Sequence, residues 1–126
     1  PGGRQIEKSI QGGEALLRGG AGITRAEALD LVNEIRLRAY GRDESGKISD
    51  ADFTLDFILD ERGRELYLES IRRTDLIRFG KFTTDAYIWQ WKGGVLNGRS
   101  VNEKYNIYPI PDTDLTANPN LSNPLY

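Results

Sequence analysis

Thr24-Arg25-Ala26-Glu27 reads as a helix capping box: the threonine hydroxyl can accept from the third helical N–H while the glutamate reaches back to the cap. Behind it Ala28, Leu31, Val32, Ile35 and Ala39 recur at helical spacing and form one apolar stripe. Glu34 and Arg38 stand four apart on the polar side, and Gly41 supplies the stop. A helix with one apolar stripe is stable only when that stripe is buried against another element. The next segment offers a partner. After a polar, turn-rich loop from Arg42 to Asp52 centred on Ser45-Gly46, Thr54 can cap a second helix, with Leu55, Ile58, Leu59, Leu66 and Tyr67 on a facing stripe. Two helices joined by a polar loop make a hairpin of the kind that builds repeat scaffolds, although no second copy appears at a 34-residue period.

The flanks are less regular. Ile6, Ile10, Ala15, Leu16 and Leu17 would line a helix face, but Gly12-Gly13 interrupts it, each interior glycine costing about 1 kcal/mol relative to alanine. Glu14 to Arg18 therefore reads as a helix end, stopped by Gly19-Gly20-Ala21-Gly22, and residues 1–13 receive no assignment. These glycine pairs are no phosphate cradle, since GxxxxGK[ST] and a preceding strand are both missing. The stretch from Asp60 to Arg78, read as part of the second helix, holds five acids and five arginines in nineteen residues. Past Gly80 the character changes: Tyr87, Trp89 and Trp91 alternate, which would place all three on one side of an extended segment. Lys92-Gly93-Gly94 follows as a turn. Pro109, Pro111, Pro119 and Pro124 then rule out regular helix except for a short turn near Asp112 to Ala117. With Tyr105, Ile107, Tyr108 and Ile110 as anchors, this tail must lie on something, because a free tail would hold fewer aromatics.

Several function classes are excluded. There is no Cys and no His, which removes disulfides, thiolate nucleophiles, the commonest general base and the usual metal ligands; no cofactor and no metal is expected. The formal charge is -2, and twelve of the seventeen basic residues are arginines interleaved with acids, which argues against a nucleic-acid surface and for bidentate ion pairs. No apolar run approaches the ~18 residues of a membrane span. The start, Pro1-Gly2-Gly3-Arg4, shows no signal peptide.

Ile58-Leu59-Asp60-Glu61-Arg62-Gly63-Arg64-Glu65-Leu66-Tyr67, continuing through Arg72-Arg73-Thr74-Asp75-Leu76-Ile77-Arg78-Phe79-Gly80, closely resembles the C-terminal signature of the SusD/RagB family. Lys92-Gly93-Gly94, Tyr108-Pro109-Ile110-Pro111, Asn118-Pro119-Asn120-Leu121, Asn123-Pro124 and Tyr126 are similar to its closing motifs. Ala15 to Gly20 and Ala28 to Arg36 are similar to its preceding helix pair. Ser122 and Leu125 stand where the family usually has Gln and Gly, and Gly63 where Ala is common. The resemblance runs from about Glu14 to Tyr126. It implies a mainly α protein, with tetratricopeptide-like helix pairs followed by a long irregular, Pro/Asn-rich C-terminal segment packed on the helices. The expectation is one domain over residues 1–126, helical over 14–80 and mostly loop over 81–126. Because family members are several times longer and bear a lipid on an N-terminal Cys, the chain is expected to be a fragment.

The implied role is a non-catalytic glycan- or nutrient-binding component of an outer-membrane uptake system at the cell surface. It would hand oligosaccharides to a TonB-dependent transporter. The alternative is a helical-repeat module that binds a protein partner and has no ligand site of its own; self-association through exposed helix faces is a further expectation. Two sets of residues are singled out. Asp60, Glu61, Arg62, Glu65, Arg72, Arg73, Asp75 and Arg78 are read as a structural ion network, with Glu61 and Glu65 pairing with Arg62, Arg72, Arg73 or Arg78. Glycoside hydrolysis needs two carboxylates facing across a cleft. Asp60 and Glu61 instead diverge by about 100° on a helix, and neighbouring arginines lower a carboxylate pKa, the wrong direction for a general acid. The ligand-binding set is Tyr87, Trp89 and Trp91 as stacking surfaces, with Lys92, Asn97 and Arg99 gripping hydroxyls. The same aromatics could instead pin the loop, since each ring buries 150–250 Å².

Overall fold

A computed structural model describes the backbone of residues 2–126 and the side chains from Gln5 onward; Pro1 and the side chains of residues 2–4 lie outside the described residues. The protein is mainly helical, with no strand among the described residues. Its elements are α1 (Gly2–Leu17), α2 (Arg25–Ala39), α3 (Leu55–Glu65), α4 (Arg72–Arg78) and α5 (Asp112–Ala117), with 3-10 turns at Glu44–Gly46, Lys92–Gly94 and Glu103–Asn106. The chain gathers into two compact units, Pro1–Arg72 and Arg73–Tyr126.

In the N-terminal unit the capping box forms as the sequence predicts. Thr24 Oγ1 accepts from Glu27 N at 3.2 Å, and Glu27 Oε2 accepts from Thr24 N at 2.7 Å. The α2 stripe faces inward at Ala28, Val32 and Ile35, which are buried, while Leu31 is half-buried and Ala39, in the last turn, is exposed. Gly41 ends the helix in the left-handed region at φ 63°, a conformation a Cβ would penalise. Helix α1 packs on both α2 and α3, and Ile10, Phe53, Ile58 and Leu59 complete the core. Each such side chain contributes about 1.5–3 kcal/mol by leaving water.

Three expectations are corrected here. Gly12-Gly13 does not interrupt α1, which continues unbroken to Leu17. The reason lies in packing: a Cβ on Gly13 would sit 3.3 Å from Phe53 Cζ and 3.5 Å from Ile58 Cδ1. The glycine lets the helix backbone press onto the core, and that burial outweighs its poor helix propensity. Second, Tyr67 is not on the α3 stripe. Thr54 caps the helix, accepting from Phe57 N at 3.2 Å, but Leu66 has already left helical geometry (φ -114°, ψ 27°), so Tyr67 falls beyond the end and is 81% exposed. Third, the charge-rich stretch is two helices, because α3 ends at Glu65, Ser70 turns through φ 58° and α4 begins at Arg72.

The polar loop between α2 and α3 is held by side chains of α2. Asn33 is buried and grips Ile48 from both sides, Ile48 N donating to Oδ1 at 2.8 Å and Nδ2 donating to Ile48 O at 3.1 Å. Arg25 donates to Asp50 Oδ1 at 2.6 Å and to Phe53 O at 3.0 Å.

The C-terminal unit has little regular structure beyond α4 and α5. Helix α5 occupies the short window foreseen, starting directly after Pro111. Elsewhere the chain is ordered by crosslinks of another kind. Val101 N donates to Thr83 O at 2.9 Å and Arg99 N to Lys92 O at 3.0 Å, folding the segment back on itself. Asn123 clamps Ile110 as Asn33 clamps Ile48, with Ile110 N donating to its Oδ1 at 2.8 Å and its Nδ2 donating to Ile110 O at 2.9 Å. The Tyr126 hydroxyl lies 2.9 Å from both Lys104 O and Ile107 O and shares its one proton between them. The Tyr108-Pro109-Ile110-Pro111 and Asn123-Pro124 motifs are thus two halves of one clasp.

Candidate functional site

Of the two residue sets, the charged one is engaged in ion pairs at Glu61 and Glu65 of the N-terminal unit, while Arg62 is buried with its Nη1 unsatisfied. Glu61 is 2% exposed, and its Oε2 accepts from Arg36 Nη1 at 2.9 Å and Arg64 Nη2 at 2.6 Å. Glu65 Oε2 accepts from Arg38 Nη2 at 2.8 Å. These are not the partners expected. Arg62 is adjacent to Glu61 and turns away by about 100°, whereas the last turn of α2 sends Arg36 and Arg38 across to α3. Arg38 thereby serves Glu65, not Glu34. Arg72 donates to Leu59 O at 2.5 Å and to Asp60 Oδ1 at 3.5 Å. In the C-terminal unit Asp75 Oδ1 accepts from Arg78 Nη2 at 2.9 Å. Among the described residues no group of three or more His, Cys, Asp and Glu could hold a metal ion, and no helix is long and apolar enough to cross a membrane.

The aromatic set is arranged differently from the alternation read in the sequence. Trp91 takes φ 67°, ψ 3°, in the left-handed region, ahead of the Lys92–Gly94 turn. A two-residue period holds only along an extended backbone, so the three rings do not share a face. Tyr87 and Trp89 remain neighbours, with ring centroids 6.3 Å apart and planes tilted by 57°, while Trp91 is 63% exposed.

Lys92 sits inside the loop. Its ammonium is buried and donates to Lys81 O at 3.3 Å, Thr84 O at 2.5 Å and Tyr87 O at 2.6 Å. It also lies 4.8 Å from the Trp89 ring centroid. Burial pushes its pKa below the ordinary lysine value, while the Asp85 carboxylate pulls the other way. Three carbonyls can accept at once only from an amine holding three protons. Lys92 is therefore the hub of the 81–92 loop, and its nitrogen has no donor left for a ligand.

An open cleft of about 1010 Å³ lies in the same unit. Its walls include the rings of Phe82, Tyr105, Tyr108 and Tyr126, and its polar lining includes Arg73, Arg99 and Asn102. Arg73 is fixed in place: its guanidinium carbon lies 3.9 Å from the Tyr108 centroid and 5.1 Å from that of Phe82, and Nη2 donates to Tyr105 O at 2.5 Å. Tyr105 and Tyr126 meet edge to face, with centroids 6.4 Å apart and planes at 77°. Lys104 lies over the Tyr126 ring at 4.6 Å. Of the expected ligand residues, Arg99 lines this cleft; Tyr87, Trp89, Trp91, Lys92 and Asn97 do not. Sequence reasoning placed Tyr105 and Tyr108 as tail anchors and did not join them to Arg73 or Tyr126. Their spacing has no period, and the signal available was only their density among prolines.

The sequence profile of the SusD family matches residues 13–126. A curated relative, "Starch-binding protein SusD" of Bacteroides thetaiotaomicron, is 41% identical over 119 residues, covering 94% of this chain and 20% of that protein. The chain thus spans about a fifth of the length of this relative.

Proposed function

Since the chain belongs to the SusD family, we propose that it is part of a non-catalytic glycan- or nutrient-binding component of an outer-membrane uptake system, acting at the cell surface beside a TonB-dependent transporter. The observation that carries this reading is the open, aromatic-walled cleft of the C-terminal unit. Ligand sites combine apolar walls with a few convergent polar groups, and sugars match that description, because the C–H faces of a pyranose stack on aromatic rings while the hydroxyls seek donors and acceptors. The cleft's lining includes no aspartate or glutamate. That suits capture without cleavage, since glycoside hydrolysis calls for a pair of carboxylates.

The relative's name refers to starch, and an oligosaccharide ligand is the matching proposal for this chain. The paired Tyr87 and Trp89 and, apart from them, the exposed Trp91 offer further aromatic rings in the same unit. These rings are proposed as accessory contacts, with Asn97 as a further candidate from the same segment. Titration with a panel of neutral and charged oligosaccharides, followed by tryptophan fluorescence and calorimetry, tests the reading. Saturable binding of at least one glycan with no reducing-end release is expected; silence across the panel, or release of sugar, would overturn it.

A further inference from the structure

The cleft of the C-terminal unit has an electrostatic character that the chain as a whole lacks. The protein's formal charge is -2, yet the cleft is lined by two arginines and no acid. The two guanidinium groups differ in availability. That of Arg73 is stacked between Tyr108 and Phe82 and donates to Tyr105 O. Arg99 is exposed, and only its Nε is engaged, donating to Gly93 O at 3.2 Å. Its two terminal nitrogens have no protein partner among the described residues. They form a planar fork whose spacing matches the two oxygens of a carboxylate.

Other polar groups of the cleft stand ready for hydroxyls. Asn102 uses Oδ1 to accept from Lys104 N at 2.9 Å, which leaves its amide nitrogen without a partner among the described residues. The Tyr108 hydroxyl likewise has none, and the residue is 75% exposed. The rings of Tyr105 and Tyr126 are nearly half exposed, enough to offer faces for stacking. At about 1010 Å³ the cleft stands at the upper end of the ~300–1,000 Å³ of ordinary small-molecule sites, so it has room for more than one sugar ring.

From this juxtaposition we infer that the cleft binds an acidic oligosaccharide, one bearing a uronic-acid carboxylate, with Arg99 pairing the carboxylate while the Tyr108, Tyr105 and Tyr126 rings stack on the sugar. The inference rests on the glycan-binding reading above and adds to it a location and a charge preference. A neutral glucan would use the rings but leave Arg99 without its counter-ion. A uronate completes it. Charge-assisted bidentate pairing at a partly exposed site is worth roughly 10- to 100-fold in affinity and weakens with added salt as screening grows.

The test is calorimetric titration of the whole chain with trigalacturonate and, in parallel, with maltotriose, each at low salt and at high salt. Trigalacturonate is expected to bind at least tenfold tighter at low salt, with the gap narrowing at high salt. Arg99→Gln should remove the preference, cutting trigalacturonate affinity at least tenfold more than maltotriose affinity. Arg99→Lys should recover part of the gap, since it keeps the charge and loses the fork. Tyr108→Ala should weaken both sugars. Arg99 is exposed and makes one backbone contact, so circular dichroism and melting of its variants should match the parent. Equal affinity for the two sugars, or a preference that survives Arg99→Gln, sinks the acidic cleft. Glycan binding unaffected by any cleft variant sinks the cleft and leaves the broader glycan role standing. No binding of any sugar sinks both.

Discussion

Replacing Lys92 with methionine isolates the role of one buried ammonium. Methionine keeps the length and packing of the stem, so the change removes a charge and three donors with little change in volume. The carbonyls of Lys81, Thr84 and Tyr87 each lose their hydrogen-bond donor. Bonds from a charged donor are worth about 1.5–3 kcal/mol each, and a buried acceptor left unsatisfied costs about 1–3 kcal/mol. Two effects reduce the sum. Burying the ammonium is itself unfavourable, as the lowered pKa of Lys92 indicates, and Thr84 and Tyr87 lie near enough to the surface for water to reach their carbonyls. A net destabilisation of about 3 kcal/mol remains. At ~2.1 cal/mol/K per residue the unfolding entropy of the 126-residue chain is about 265 cal/mol/K, so Tm should fall by about 11 °C. Thermal melts followed by near-ultraviolet circular dichroism would read both the fall and the changed surroundings of Trp89. The exposed control Lys47→Met should stay within about 0.5 kcal/mol. A Lys92→Met protein melting within 2 °C of the parent would mean that the ammonium is not the hub of this loop.

Glu61→Gln leaves Arg36 and Arg64 facing a neutral acceptor inside the N-terminal unit, and a loss of about 3 kcal/mol is expected from the urea midpoint. Glu65→Gln, whose partner Arg38 is half exposed, should cost under about 1 kcal/mol and still lower the melting temperature measurably. Glu27 has its pKa lowered from the ordinary 4.5, first by the bond from the Thr24 backbone and then by the Thr24 side chain. Its contribution is therefore fully present above pH 4.5 and is lost as pH falls through the lower folded value. The stability advantage of the parent over Glu27→Gln should accordingly shrink on acidification from pH 5 to 3, and a constant difference would contradict the assignment. Asn123→Leu removes both bonds to Ile110 and should cost about 2 kcal/mol, with faster proteolysis between residues 108 and 124 as its visible sign.

Local chemistry was legible in the sequence, and long-range partnership was not. Thr24, Thr54 and Gly41 announce the ends of α2 and α3 because capping depends on residues within one turn. The α5 window was readable because Pro111 fixes its start. By contrast, whether Gly13 breaks a helix depends on Phe53, which is distant along the chain and touches the position where a Cβ would go. Besides the nearby Arg64, Glu61 pairs with Arg36, twenty-five residues away, and nothing in the charge pattern from Asp60 to Arg78 points outside that stretch. The cleft was hidden for the same reason. Arg73, Arg99, Tyr108 and Tyr126 belong to four separate segments, and only the folded loops bring them together.

The C-terminal unit also shows how so few apolar anchors can hold a segment rich in prolines. Pro109, Pro111 and Pro124 each lack a backbone donor, so ladders of the usual kind cannot form. Order comes instead from side chains that bond the backbone in pairs: Lys92 to three carbonyls, Asn123 to both polar groups of Ile110, the Tyr126 hydroxyl to two carbonyls. Polar crosslinks of this type need little apolar burial. That releases the aromatic rings from core duty, and Tyr108 and Trp91 can stay largely exposed on a defined framework. In a loop ordered by hydrophobic burial the same rings would turn inward and no cleft would remain. Loops fixed by a rigid scaffold are where recognition usually resides, and here the fixing is done by amide and ammonium groups, which leaves the rings available to the proposed glycan.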